Sequence, residues 1–183
     1  MQLERVSSGI EGLDPLIGGG FIKGRSYLIS GEPGTGKTLF SLQYIIEGIK
    51  KGEKGIYVSI DEKPIHLIED ALSIGWDLKK YIEQGMLQIL DVTNYFSESR
   101  LGKTGKIEVR KISDELNRYI KETGAKRLVI DPIAPLISKN EIISEIQEYI
   151  RTLIFKIEEL PNCVTLFTSH IPVGTTKLSE YEM

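Results

Sequence analysis

The stretch Gly31–Thr38, GEPGTGKT, constrains this chain more than any other. It joins an apolar run, SYLIS, to a segment of helical period, TLFSLQYII, and satisfies G-x-x-x-x-G-K-[ST] in the strand–loop–helix setting that pattern requires. Gly31, Gly34 and Gly36 let the backbone curl until successive N–H groups point inward at a polyphosphate. A helix opening near Lys37 adds the positive end of its dipole. The Lys37 ammonium then belongs against the β- and γ-phosphates, and the Thr38 hydroxyl on Mg²⁺. The residues expected around a nucleotide's phosphates are Gly31, Glu32, Pro33, Gly34, Thr35, Gly36, Lys37, Thr38 and Leu39. A second GKT at Gly102–Thr104 lacks the leading glycine, since Ser97 stands there, and no apolar run feeds it. It reads as a basic loop that repeats three letters.

A loop of this kind needs a sheet behind it, and the chain supplies one. Short runs that are apolar nearly throughout fall at Ser26–Ser30, Gly55–Ile60, Met86–Val92, Arg127–Asp131 and Asn162–Ser169, as in strands covered on both faces. Segments of helical period separate them. Lys37–Lys51 ends on two lysines before Gly52, and Pro64 opens a helix that Gly75 closes. Val109, Ile112, Leu116 and Ile120 mark a third, and Ile142, Ile146, Ile150, Leu153 and Ile157 a fourth, stopped by Pro161. The pattern predicts an α/β fold with a mainly parallel sheet and helices on both faces. At 183 residues, with no repeat or linker, a single domain is expected. Thr93–Lys106 is polar and reads as a long loop at a strand end, and the stretch after Ser169 has no strong period.

Composition excludes other classes. The net charge of −3 provides no bulk positive field for nucleic acid or anionic lipid. Cys163 is the only cysteine, so an internal disulfide or a Cys-based zinc site is out. No run approaches the length of a membrane span and the N-terminus lacks a signal peptide's apolar core, which predicts a soluble, cytoplasmic protein.

A phosphate loop of this type works with an acid on a neighbouring strand that holds Mg²⁺ through water. KRLVID ends on Asp131, at the C-terminal end of a predicted strand, and Asp131 is the expected metal-side carboxylate. The following residue, where many such ATPases carry the water-activating glutamate, is Pro132, which cannot act as a base. The strand IYVSIDE ends on Asp61 and Glu62, and such an edge faces the same crevice as the phosphate loop. Two adjacent acids beside a triphosphate repel, which raises one pKa and favours proton acceptance. The same pair also suits a solvated first turn of the helix that Pro64 opens. The residues leave both readings open.

Taken together, these residues resemble the KaiC-like branch of the RecA-type P-loop ATPases. The opening RVSSGIEGLDPLIGGGFIKGRSYLISGEPGTGKTLFSLQYI is similar to that family's start, with Gly18–Gly20 ahead of the loop. YVSIDEKPIHLIEDALSIGWDL matches its most discriminating stretch: an acidic pair, a proline two residues later and a GWD, here Asp61–Glu62, Pro64 and Gly75–Asp77. MLQILD and KRLVID follow in family order. The resemblance implies a three-layer RecA-like P-loop NTPase core and an Mg²⁺-dependent ATPase that switches or assembles a complex, with slow turnover expected from this chain's departures from the family. Lys37, Asp61 and Glu62 are its catalytic residues by that resemblance, Thr38 and Asp131 its metal residues. It also implies ATP across a subunit boundary in a homo-oligomer, a ring or hexamer, or a complex with a partner protein.

Two departures stand out. The family has glutamate where Asp61 stands, and a carboxylate one methylene shorter loosens its hold on water; a misplacement of ~1 Å can cost ~100-fold in rate. Family modules also continue past the strand resembling NCVTLFTS into strands with basic residues that reach a neighbour's γ-phosphate. Here Lys177 is the only Lys or Arg after Lys156, so the family's last strands are expected to be missing. Two alternatives therefore remain: a nucleotide-binding interaction protein with little hydrolysis, and a RecA- or RadA-type recombinase paralogue acting on DNA, which the acidic charge disfavours. His170, with Thr168 or Ser169, is a candidate γ-phosphate sensor, His66 and Trp76 read as surface and packing residues, and Arg100, Lys103 and Lys106 as a solvated loop.

Overall fold

The apolar runs pair as one parallel sheet. In the computed structural model, which describes residues 3–91, 109–133, 143–159 and 162–170, the sheet comprises β3 (Ser26–Gly31), β4 (Gly55–Ser59), β5 (Leu87–Asp91), β6 (Arg127–Asp131) and β7 (Val164–His170). The strand order is β3-β7-β6-β4-β5, with every pair parallel. The chain leaves β3, crosses to β4, steps outward to β5, and returns to place β6 and β7 in the gap. The C-terminal end of β3, which runs into the phosphate loop, therefore sits beside β7, with β6 one strand further in.

Alternation along the strands sorts side chains into two cores. Ile56, Val58 and Ile60 from β4 and its end, Leu128 and Ile130 from β6, and Phe167 from β7 pack against Leu116 and Ile120 of α5 (Val109–Thr123) and Ile150, Leu153 and Ile157 of α6 (Ile143–Glu158). Tyr57, Val129, Val164 and Leu166 face the other way. They meet Leu42, Ile45 and Ile49 of α2 (Lys37–Lys50), Leu67 and Ala71 of α3 (Pro64–Ser73), and Leu78 of α4 (Leu78–Glu83). The result is the three-layer α/β arrangement that the doubly covered strands predict.

The structure adds elements that periodicity alone did not expose. β1 (Arg5–Val6) and β2 (Phe21–Ile22) form a short antiparallel pair around the one-turn helix α1 (Leu13–Leu16). Arg5 Nη1 ties this lead-in by donating to the carbonyls of Ile17 (2.8 Å) and Gly20 (2.7 Å). The Gly75–Asp77 triplet does three things. Gly75 follows the end of α3 at φ 86°, Trp76 packs on the α2-side core, and the Asp77 carboxylate caps α4 by accepting from Lys80 N (3.2 Å). β5 is one residue shorter at its start than expected, β7 begins at Val164 rather than Asn162 and takes in His170, and β4 ends at Ser59. Val92, Thr93–Lys106 with its GKT, Ile142, Pro161 and everything after His170, including Lys177, lie outside the described residues. Cys163 is buried, and burial pushes its thiol up to about 12, which keeps it an inert apolar group.

At the sheet's N-terminal edge, far from the loop, a charge lies in the core. Arg127, 1% exposed, pairs through Nε with Glu53 (2.7 Å) and donates from Nη1 to the carbonyls of Ser7 (2.9 Å) and Tyr44 (2.8 Å). Its guanidinium lies over the Tyr44 ring, 4.6 Å from the centroid. This explains a glycine inside α2, where one costs ~1 kcal/mol against alanine: a Cβ on Gly48 would stand 2.2 Å from Arg127 Nε. One side chain thus joins the lead-in, α2, the α2–β4 turn and β6. Removing it strands buried carbonyls, so Arg127→Ala is expected to lower the unfolding free energy by about 3–5 kcal/mol in urea titrations. A loss no greater than an exposed ion pair's, about 1 kcal/mol, would show the guanidinium to be dispensable.

Candidate functional site

The loop between β3 and α2 holds the shape its glycines allow. Gly34 and Gly36 take φ of 80° and 87°, which side chains with a Cβ rarely adopt, and a Cβ at either would meet open space rather than protein. Thr35 closes the turn, its N–H (3.3 Å) and hydroxyl (2.8 Å) both donating to the Glu32 carbonyl. Gly36 is the N-cap of α2 and brings no side chain to the helix's first amides. The positive end of a 14-residue helix therefore faces the loop without a protein cap, the condition for taking an anion. Glu32, Pro33, Gly34, Thr35 and Leu39 are exposed, and Gly31, Gly36 and Thr38 are partly so.

Lys37 is buried, and its ammonium folds across the loop to donate to the carbonyls of Gly31 (2.9 Å) and Glu32 (2.8 Å). Desolvation holds its pKa below the usual lysine value, and the charge of Asp131 offsets only part of that drop. Both partners are loop carbonyls, so the ammonium is held at the loop without being neutralised by a carboxylate.

Asp131 is where the elements converge. Thr38 Oγ1, 93 residues away in sequence, donates to Asp131 Oδ2 at 2.8 Å. The Tyr57 hydroxyl of β4 donates to the same oxygen, and the Thr168 hydroxyl of β7 donates to Oδ1. Tyr57 and Thr168 are both buried, and burial first, then the Asp131 charge, raises the Tyr57 pKa well above the usual phenol value. The phenol thus stays a donor. The sequence treated Tyr57 as strand filler and weighed Thr168 as a γ-phosphate sensor beside His170. The structure instead aims the Thr168 hydroxyl at Asp131, because Thr168 shares the α2-side face of β7 with Val164 and Leu166. That alternation was the available signal. The Asp131–Pro132 bond is cis.

The acidic pair follows directly. Ile60 N–H donates to the Asp131 carbonyl (3.0 Å), and the Ser59 hydroxyl to the Glu62 carbonyl (2.6 Å), so the chain past β4 stays at the end of β6. Asp61 is exposed and Glu62 half-buried. Desolvation, reinforced by Asp70 and Asp131, raises the Glu62 pKa above its ordinary 4.5, with His66 opposing. His170 is exposed at the tip of β7, in register with Gly31, while Ser169 is buried opposite Ser30. His66 is exposed and Trp76 half-buried, as expected.

The donor set can be tested against a metal. Hard oxygens, a hydroxyl and a carboxylate, meet at the loop's end beside a helix N-terminus. Among the described residues no three His, Cys, Asp or Glu side chains cluster to cage an ion. Few protein ligands with room for phosphate and water fit Mg²⁺, and do not fit zinc.

Comparison with known proteins bears on the family and the fold. The family model for the KaiC ATPase matches residues 6–183. The chain belongs to the KaiC ATPase family. Members similar to it include the UPF0273 protein of Pyrococcus horikoshii, 32% identical over 93% of this chain and 70% of that protein. The UPF0273 protein of Thermotoga maritima is also 32% identical, over 93% of this chain and 72% of its own length. The circadian clock oscillator protein KaiC of Prochlorococcus marinus is 34% identical, and there the match spans only 33% of the longer protein. The crystal structure of a KaiC-like protein from Pyrococcus horikoshii superposes with a TM-score of 0.79 at 32% identity, covering 98% of this chain and 76% of that one. The KaiC family assignment and the RecA-type fold carry with them an ATP-binding P-loop ATPase in general terms. Among the described residues no helix is long and apolar enough to cross a membrane.

The environment of Glu62 has a consequence for stability. With its folded pKa above its unfolded one, Glu62 binds its proton more tightly in the folded chain, so folding is penalised as pH rises through that interval. Glu62→Gln is therefore expected to raise the melting temperature at neutral pH, and the gain should vanish below about pH 4.5. Equal melting curves for both proteins at pH 7 would contradict the crowding of carboxylates described above.

Proposed function

We propose that this chain binds ATP with Mg²⁺ at the Gly31–Leu39 loop and hydrolyses it slowly, serving as the nucleotide-driven switch of a homo-oligomer or of a complex with a partner protein. The observation that carries this reading is the Thr38–Asp131 hydrogen bond, which joins the foot of the phosphate loop to a carboxylate on β6. Loop amides and the N-terminus of α2 would bind the phosphate chain. Lys37 would exchange its bonds to the Gly31 and Glu32 carbonyls for phosphate oxygens, which hold an ammonium better than neutral carbonyls do. Thr38 would ligate Mg²⁺, and Asp131 would hold it through water. When bound, the ion neutralises charge on the phosphate oxygens. Glu62 would accept the proton of the attacking water, its raised proton affinity suiting a base, and Asp61 would orient that water. Residues 1–183 would act as a single nucleotide-binding unit, and ordering of loops around the γ-phosphate would be the signal that other subunits read.

A second reading keeps binding and drops most of the hydrolysis. Asp61 favours it, being exposed and one methylene shorter than the family's glutamate. Action on DNA is disfavoured by the net charge of −3.

Lys37→Ala should remove ATP binding as followed by titration calorimetry, and unchanged affinity would refute the site. In single-turnover assays Glu62→Gln should slow hydrolysis by about 10²–10⁴-fold if Glu62 is the base. A rate equal to the unmodified chain's would select the second reading.

A further inference from the structure

We propose that Tyr57 and Thr168 are positioning residues that clamp the Asp131 carboxylate from both neighbouring strands. The clamp rests on the Mg²⁺–nucleotide reading and refines it, naming two groups that the loop motif does not contain.

β6 lies between β4 and β7, and each neighbour sends one hydroxyl to the carboxylate at its end: Tyr57 to Oδ2 and Thr168 to Oδ1. The terminal torsion of an aspartate is broad and two-fold, so a carboxylate on its own is poorly oriented. Donors on both oxygens remove that freedom. Hydrogen bonds to an ionised acceptor are roughly twice as strong as neutral ones, so the restraint is substantial. Thr38 completes the set on Oδ2. Because the Thr38 proton is spent on Asp131, that hydroxyl presents its lone pairs rather than its proton to the loop, which is what a cation requires.

Packing does not account for the hydroxyls. Tyr57 is 1% exposed and Thr168 0%, and a phenylalanine or valine would fill either position without a polar atom. Each buried hydroxyl has Asp131 as its acceptor, at sequence separations of 74 and 37 residues. The three donors come from α2, β4 and β7, so the carboxylate's orientation depends on the strand order itself. The clamp also fastens β4, just ahead of Asp61 and Glu62, to the metal-side acid.

The test measures binding, independent of turnover. Affinity for a non-hydrolysable ATP analogue is measured on the full chain in Mg²⁺ and again in EDTA, and the ratio of the two dissociation constants reports the metal's contribution. Groups that orient metal ligands commonly contribute 10–100-fold to metal affinity, and because Asp131 holds the ion through water, Tyr57→Phe and Thr168→Val are each expected to cut the ratio by about tenfold, the low end of that range. Affinity in EDTA should be unchanged, and Thr168→Ser, which keeps the donor, should keep the ratio. A purely structural role would lower melting temperature and leave the ratio alone. The wild-type ratio in either folded variant, or its loss in Thr168→Ser, overturns the clamp while leaving the nucleotide site standing. A wild-type chain that does not bind the analogue in either buffer overturns the nucleotide reading and the clamp together.

Discussion

One carboxylate organises the functional end of this molecule. Asp131 accepts hydrogen bonds from the hydroxyls of Thr38, Tyr57 and Thr168, which lie on a helix and on the two strands flanking its own. Such convergence exists because the chain crosses from β3 to β4 before returning to lay β6 and β7 between them. Had the strands followed in sequence order, the Gly31–Thr38 loop and Asp131 would not face one crevice. The usual rule for open parallel sheets, that ligands collect where the strand order reverses, takes a specific form here. The strand inserted between loop and acid brings Thr168 and His170, and the strand beyond brings Tyr57, Asp61 and Glu62.

Charge is treated in opposite ways at the two ends of the sheet. At the N-terminal edge Arg127 is buried, with Nε on Glu53 and Nη1 on two carbonyls, and it fixes the lead-in segment against α2. At the C-terminal edge, among the described residues, Lys37 donates to two carbonyls, and Glu62 crowds Asp70 and Asp131. The first arrangement is structural: Nε and Nη1 carry its bonds, while the buried Nη2 has no partner among the described residues. The second carries little counter-charge among the described residues, which suits the polyanion and cation proposed for it.

Much of the architecture was legible in the chain, and the exceptions have physical causes. The five strands stand out because burial on both faces leaves nearly continuous apolar runs, so their ends move by only a residue or two. The loop was legible because its chemistry is local: glycine conformation, a lysine and a hydroxyl within eight residues. α4 escaped notice because LKKYIE is too short for a periodic stripe, and its start is signalled only by the Asp77 cap. Arg127 was legible only as the first residue of a strand, with nothing to say where its charge goes. Its burial depends on the missing side chain at Gly48, 79 positions earlier in the chain, which no local pattern encodes.

Tyr57 and Thr168 mark the boundary most sharply. Strand alternation already places each on a definite face, but a face becomes a contact only when the sheet's order and register are set. What the amino-acid sequence determined by itself was the chemistry carried on short range: a curled glycine loop, a helix to follow it, apolar strands, and acids at their ends. What tertiary structure alone decided was which of those acids meets which hydroxyl, because hydrogen bonds reach about 3 Å while the partners lie 37, 74 and 93 residues apart along the chain.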